Sequence, residues 1–254
     1  MSKVRHFKNR VAVFDIDGTI FRSSLLIEFN KALQRTGVIS ATDAMVLLKP
    51  YYAWVERRGS YDDYIKKVVE VHVKAIKGKE QHYVLAAADL AFLNHRDRVY
   101  RYARDLIKKL KHSHLLLAIS GSPIEIVEPF AKYFGFDHVW GSVFEVDRRG
   151  RYTGRVLDRR SVDQKREILK AFVQEKNLKL AGSWGVGDTE TDISFLALVD
   201  HPIVFNPTQK LYNIAKRRRW PVVVERKNVI YPIREYPASP RRAGGAVLAS
   251  EHRV

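Results

Sequence analysis

The feature that most constrains the fold is a short apolar run, residues 11–14, followed at once by Asp15, Asp17, Gly18 and Thr19. Four apolar residues between polar flanks are typical of a strand that is covered on both faces. Gly18 then permits the backbone to leave the sheet. The run therefore predicts a buried strand that delivers two carboxylates to a loop, although a solvated, aspartate-rich turn after an edge strand remains an alternative.

The length and composition indicate a soluble globular protein. A chain of 254 residues suits one large domain or two modest ones. No stretch has the roughly 18 uninterrupted apolar residues of a membrane span, and the basic start at residues 2–10 is unlike a secretory leader. We therefore expect a cytoplasmic protein. The absence of cysteine removes thiolate sites, so we expect any metal to be bound by the carboxylate oxygens of Asp and Glu.

The formal net charge of +17 raises the question of an anionic partner. Basic residues are spread through the helical middle of the chain and recur at residues 216–219. Several lie on the polar sides of amphipathic helices, where a solvated surface is the commoner explanation and nucleic acid is the rival. In either case the field of the protein attracts anions.

The distribution of apolar residues divides the chain into a helical block and an alternating block. From about residue 23 to 111 the spacing is helical, with predicted helices at 61–76 and 81–93. From residue 114 strands and helices alternate, which favours a parallel sheet with helices on both sides. The predicted elements are strands 115–119, 183–187, 203–205 and 222–225, a hairpin of 139–146 with 152–156, and helices ending near 134, 175 and 219.

Three of these strands end in polar loops: Asp15 and Asp17 follow the first, Ser120 follows the second, and residues 187–192 follow a later one. In open α/β sheets such loops converge outside the carboxyl ends of the strands. Asp188 and Asp192 are four residues apart, so with Asp15 they could supply oxygen ligands for Mg²⁺. Helix capping is the alternative role for Asp188.

Lys165 begins a helix of otherwise ordinary composition. Its position by itself does not distinguish it from Arg166 or Lys170, and most lysines are solvated.

In this order, residues 14–19, Ser120-Gly121, the helix that starts at Lys165, and Gly187-Asp188 with Asp192 resemble the four motifs of the haloacid dehalogenase superfamily. Residues 119–123, residues 135–138 and the return strand that begins at Tyr152 are similar to the phosphoserine-phosphatase-like branch of that superfamily. The resemblance extends from Val11 to about Glu225.

The resemblance implies an α/β fold, a three-layer Rossmann-like parallel sheet core with a helical cap inserted after the first strand. Under this interpretation residues 1–22 and 112–237 form the catalytic core and residues 23–111 form the cap. Residues 238–254 lack periodicity and are predicted to be a disordered tail.

The resemblance also implies catalytic roles. Asp15 would be the nucleophile that forms an aspartyl phosphate, and Asp17 would protonate the leaving alkoxide and later activate water. Ser120 would hydrogen-bond the phosphoryl oxygens, and Lys165 would neutralise the phosphoryl charge and Asp15. Asp17 must hold a proton when Asp15 does not, so we expect the lysine and a cation to lower the pKa of Asp15.

The implied cofactor is Mg²⁺. Its ligands would be Asp15, the backbone carbonyl of Asp17 and Asp188, with Asp192 acting directly or through water. The sequence is thus interpreted as a Mg²⁺-dependent phosphomonoester hydrolase for a small phosphorylated metabolite. A nucleic-acid-binding protein, or a nucleic-acid end phosphatase on the same fold, is the alternative.

One position departs from the branch. Its phosphoserine enzymes carry a glutamate where this chain has Ser24, and the nearest acid is Glu28, about one turn further on. This difference weighs against phosphoserine as the substrate.

Overall fold

The computed structural model describes residues 8–233 and contains one eight-stranded sheet. The predicted tail at residues 238–254 lies outside the described residues. The strands are β1 (Arg10–Phe14), β2 (Leu115–Pro123), β3 (His138–Val146), β4 (Tyr152–Asp158), β5 (Lys179–Gly187), β6 (His201–Phe205), β7 (Val222–Arg226) and β8 (Val229–Ile233).

The strand order is β4-β3-β2-β1-β5-β6-β7-β8. The six inner strands run parallel, and β4 and β8 pair antiparallel at the two edges. The predicted hairpin of β3 and β4 is confirmed. The pattern analysis missed β8, which is mostly exposed and contains Pro232, so it carries little of the burial signal that marks an inner strand.

β1 lies at the centre of the sheet, between β2 and β5. Its side chains alternate between two apolar cores: Ala12 and Phe14 belong to one, and Val11 and Val13 belong to the other. All four are fully buried, as the apolar run predicted for a strand covered on both faces. The three-layer α/β architecture is therefore confirmed.

The helices are α1 (Leu25–Arg35), α2 (Ala41–Met45), α3 (Leu48–Val55), α4 (Tyr61–Ile76), α5 (Gln81–His95), α6 (Arg101–Leu110), α7 (Ile124–Phe134), α8 (Arg160–Asp163), α9 (Lys165–Glu175), α10 (Ile193–Leu196) and α11 (Gln209–Arg218). A 3₁₀ turn spans Glu190–Asp192. Within residues 8–233, no helix combines the length and the apolar character needed to cross a membrane.

The helical insertion after β1 packs on one side of the core. α1 packs against α5 and α4, α5 packs against α7, and α4 contacts β4. The last helix of the predicted cap, α6, is instead attached to the sheet, because Glu225 of β7 accepts hydrogen bonds from the backbone N–H groups of Arg101 and Tyr102 at 3.1 and 2.8 Å.

Candidate active site

The loop after β1 is built around Gly18. This residue has a φ of +82°, and a Cβ atom at this position would lie 2.1 Å from Oδ2 of Asp188. Only glycine lets the first loop approach the loop after β5 this closely. Thr19 donates a hydrogen bond to Oδ1 of Asp188 at 3.1 Å, so the two loops are also joined by side chains.

The structure distinguishes Lys165 from the other basic residues at the start of α9. Its side chain is 3% exposed, whereas Arg166 and Lys170 are exposed to solvent. Its ammonium group donates to Oδ1 of Asp15 at 2.6 Å and to Oδ1 of Asp192 at 2.7 Å. These bonds connect residues 150 and 27 positions apart in the chain, so one cation joins the loops after β1 and β5.

Asp192 holds the loop that follows β5. Its second oxygen, Oδ2, accepts backbone hydrogen bonds from Asp188 and Thr189 at 2.9 and 3.0 Å. A Cβ atom on Gly187 would lie 2.5 Å from the Cβ atom of Asp192, so this turn also requires glycine. Because both oxygens are already bonded within the protein, Asp192 orients Lys165 and the loop.

Asp17 has a separate set of partners. Its Oδ2 accepts hydrogen bonds from the hydroxyl groups of Ser120 and Ser122 at 2.6 and 2.9 Å, and its Oδ1 accepts one from the backbone N–H of Leu25 at 2.5 Å. Sequence reasoning selected Ser120 as a donor to the phosphoryl oxygens and not to Asp17, and it missed Ser122 and the Leu25 amide. The repeated serine in residues 120–123 was the available signal for Ser122, whereas no sequence signal marks a backbone donor.

The predicted metal ligands divide into two groups. Asp15, Asp188 and Asp192 each offer a carboxylate oxygen, and these three oxygens lie within 4.8 Å of one another. The side chain of Asp17 is bonded to Ser120 and Ser122 instead, which leaves its backbone carbonyl for the predicted role. Clustered carboxylate oxygens suit Mg²⁺, so the donor set fits this cation.

Burial raises the pKa values of two of the clustered acids, Asp15 and Asp188. It raises the pKa of Asp15 well above its usual value; Lys165 opposes this effect, while Asp192 and Asp17 add to it. The pKa of Asp188 is raised by burial and by the charges of Asp15 and Asp192. The expected lowering of the pKa of Asp15 is thus absent from the protein alone, because a single ammonium group does not compensate several desolvated acids.

Lys165 itself remains a cation. Burial tends to lower its pKa, but the charges of Asp15 and Asp192 and their hydrogen bonds outweigh that effect, and the pKa is raised. The cluster therefore keeps a permanent positive charge beside the candidate nucleophile.

A cavity of about 1420 Å³ is lined by Asp15, Asp17, Lys165 and Asp188, and it continues along the helices of the insertion after β1. Glu28 lies in its wall and is buried, but its carboxylate is already paired with Lys31 and Arg98, both at 3.1 Å. Closer to the catalytic loops, Tyr61 and Ser24 both line the cavity, and burial raises the pKa of the Tyr61 hydroxyl. The cavity wall therefore carries the hydroxyl groups of Ser24 and Tyr61 where the resemblance would have placed a free carboxylate.

Comparison with known proteins agrees with this geometry. Residues 12–197 match the family model of haloacid dehalogenase-like hydrolases. A histidinol-phosphatase of Neisseria meningitidis serogroup C (strain 8013) is 24% identical over 224 residues, covering 84% of this chain and 97% of the relative.

Two solved structures share the fold. One is a protein of unknown function from Bordetella pertussis Tohama I, with a TM-score of 0.67 and 21% identity over 85% of this chain and 98% of the other. The second is a phospho-aspartyl intermediate analogue of a phosphoserine phosphatase, with a TM-score of 0.59 and 20% identity over 87% and 95% of the two chains.

Proposed function

Because this chain belongs to the haloacid dehalogenase-like hydrolases and is a phosphatase of that superfamily, we propose that it hydrolyses a small phosphomonoester with Mg²⁺ through an aspartyl phosphate. The observation that carries the proposal is the placement of Lys165, bonded to Asp15 and Asp192, beside an Asp17 that has its own partners. The two carboxylates thus have different partners, an ammonium group at Asp15 and hydroxyl and amide donors at Asp17.

In the first half of the reaction, an oxygen of Asp15 forms a bond to phosphorus as the bond from phosphorus to the ester oxygen breaks. Asp17 transfers its proton to the departing alkoxide, which leaves as the alcohol. The hydroxyl groups of Ser120 and Ser122 and the Leu25 amide hold the Asp17 carboxyl group in place for this transfer.

In the second half, Asp17 takes a proton from water, and the resulting hydroxide attacks phosphorus and releases Asp15. Lys165 stays charged throughout and offsets the negative charge that gathers on the phosphoryl oxygens. When bound by Asp15, Asp188 and the Asp17 carbonyl, Mg²⁺ supplies further positive charge at the same oxygens.

The cavity wall bears on the size and on the charge of the substrate. The cap helices α1–α5 form part of the wall of the cavity that contains Asp15, and such caps restrict access and exclude water. We propose that α1–α5 form the cap, and that residues 8–22 and the part of the chain from α6 onward form the catalytic core. The pairing of Glu28 with Lys31 and Arg98 argues against a substrate whose ammonium group needs a free carboxylate.

The test is hydrolysis of p-nitrophenyl phosphate and a panel of phosphorylated metabolites in Mg²⁺. Asp15→Asn should lower kcat by at least about 10³-fold, since the amide is not a nucleophile. Asp89→Asn, on an exposed part of α5, is the matched control and should keep the activity.

Substantial turnover by Asp15→Asn would refute the nucleophile assignment. Salt-dependent retention on RNA, with no phosphate release from any ester, would favour the nucleic-acid-binding alternative.

A further inference from the structure

The cavity above Asp15 has two chemically different ends. The lower end contains the carboxylates, serines and Lys165, whereas the wall contributed by the cap is largely apolar and aromatic. The residues that form this apolar wall are Leu26, Tyr51, Trp54, Tyr61, Tyr64 and Val68. A phosphoryl group bound at the lower end would therefore direct the rest of the ester towards aromatic rings.

The rings of the apolar wall are held against one another. Trp54 stacks on Tyr64 with ring centroids 5.7 Å apart and an angle of 7° between the planes, and Tyr61 packs against Trp54 at 5.1 Å. Trp54 and Tyr61 are only half-buried, although most of their neighbours in this cluster are apolar. Their free surfaces face a cavity large enough to cover a ligand of substantial size.

The charged groups near the apolar wall do not favour a polar ester. The one buried acid, Glu28, is paired with Lys31 and Arg98. Three other charged residues of α4 that line the cavity, Asp62, Lys66 and Glu70, are exposed and can remain in water. An ammonium substituent would thus lose water without gaining a free carboxylate, and the polar position that the apolar wall leaves unpaired is the buried Nε2 of His72, which offers a single hydrogen bond.

We propose that the cap selects phosphomonoesters of bulky apolar alcohols, and that Trp54 is a specificity-determining residue. This inference rests on the proposed phosphatase function and identifies its substrate class. The alcohol replaces water on the rings of the apolar wall while its phosphate occupies the catalytic end. Leu48 and Tyr51 line the cavity and are exposed, so the apolar surface continues outward for a longer substituent.

Aromatic residues can also bind quaternary ammonium groups, so this possibility needs a direct comparison. In this protein Trp54 and Tyr64 stack on each other and form one side of the cavity, not a cage around it, and the chain carries a net charge of +17, which repels cations. Both facts favour a neutral apolar substituent over a cationic one of the same shape.

The experiment is a series of primary phosphomonoesters measured with the full chain in Mg²⁺. Ethyl phosphate is the reference, and the substituted compounds are 2-aminoethyl, 2-hydroxyethyl, 2-phenylethyl and n-octyl phosphate. All are esters of primary alcohols, so differences in kcat/KM report mainly on binding of the substituent. The 2-phenylethyl and n-octyl esters distinguish an aromatic from an aliphatic preference within the apolar class.

We expect kcat/KM for the better of the two apolar esters to exceed that for ethyl phosphate by about 10- to 100-fold, the effect of burying one large apolar group. The value of kcat/KM for 3,3-dimethylbutyl phosphate should exceed that for phosphocholine by about tenfold or more, although phosphocholine has the same shape and differs by its positive charge. Equal rates across the series, or a preference for the amino, hydroxyl or choline ester, would overturn the inference and leave the phosphatase function intact.

Substitutions then test whether Trp54 is the side chain that causes the preference for apolar esters. Trp54→Ala should lower the ratio of kcat/KM for the preferred apolar ester over ethyl phosphate by about tenfold, whereas Trp54→Phe should keep most of it. Tyr83→Ala removes an exposed aromatic side chain of α5 and should leave the ratio unchanged. An unchanged ratio in Trp54→Ala would refute the role of Trp54, and if that variant does not fold, the substrate series on the unaltered chain decides the substrate class.

Failure of the unaltered chain to hydrolyse any ester, including p-nitrophenyl phosphate, would instead refute the proposed function on which this inference depends. The two failures are therefore distinguishable.

Discussion

Replacement of Lys165 by methionine tests whether this lysine compensates the buried acids. Its ammonium group lies 2.6 Å from Asp15 and 2.7 Å from Asp192, and all three side chains are buried. Methionine has a similar length but no charge, so it leaves the two carboxylates without their cation. Removing one partner of a buried ion pair costs about 3–5 kcal/mol.

For a domain of this size, a loss of 1 kcal/mol lowers the Tm by about 2–4 °C. Lys165→Met should therefore melt about 6–20 °C below the unaltered protein in EDTA at pH 8. Adding Mg²⁺ should recover part of this loss, because a bound cation would compensate Asp15 in place of the lysine. In Mg²⁺ the variant should also lose about 10²-fold or more in kcat, as expected for removal of one electrostatic contact to the reacting group.

The assay is thermal unfolding followed by circular dichroism, with Lys170→Met as the matched control. Lys170 lies on the same helix and is exposed, so its replacement should change the free energy of unfolding by no more than about 0.5 kcal/mol. If Lys165→Met melted within about 2 °C of the unaltered protein in EDTA, the lysine would not be compensating the cluster, and this account of the site would be wrong.

Three further predictions concern the metal, the loops and the cap boundary. Burial raises the pKa of Asp15 and Asp188 above their unfolded values, so the stability that their protonated forms provide is complete below about pH 4 and is lost as the pH rises through the raised values. Mg²⁺ should consequently raise the Tm more at pH 8 than at pH 5, when each is compared with EDTA. Gly18→Ala should abolish activity, because its Cβ would lie 2.1 Å from Asp188; Gly37→Ala, at a φ of +77° with no atom within 4 Å, should cost about 1 kcal/mol of stability and keep the activity. Glu225→Gln should lower the free energy of unfolding by about 1 kcal/mol in chemical denaturation. The reason is that it replaces the carboxylate that accepts hydrogen bonds from the first backbone N–H groups of α6 by a neutral amide.

The resemblance and the local patterns of the sequence predicted much of the architecture. The apolar run at residues 11–14 predicted a buried strand, and the helical spacing at residues 61–76 gave the limits of α4. These predictions succeeded because the burial of a strand or of one face of a helix determines which residues along a short segment are apolar. The same reasoning did not predict β8, because an exposed edge strand does not require a regular pattern of apolar residues.

Local sequence patterns predicted less about the active site than about the fold. Local composition could not distinguish Lys165 from Lys170, and only the resemblance to a known superfamily selected it. The structure separates them by burial, with one lysine between two carboxylates and the other in water.

The sequence by itself determined the chemistry available to this protein: paired aspartates after a buried strand, further acids after a later one, and no thiols. Only the tertiary structure decided how that chemistry is used, because it depends on contacts between distant residues. Ser122 reaches Asp17 across 105 positions, and Arg98 neutralises Glu28 across 70. Desolvation and pairing arise when the chain folds, so the charge of a group and its availability to a substrate are properties of the folded site.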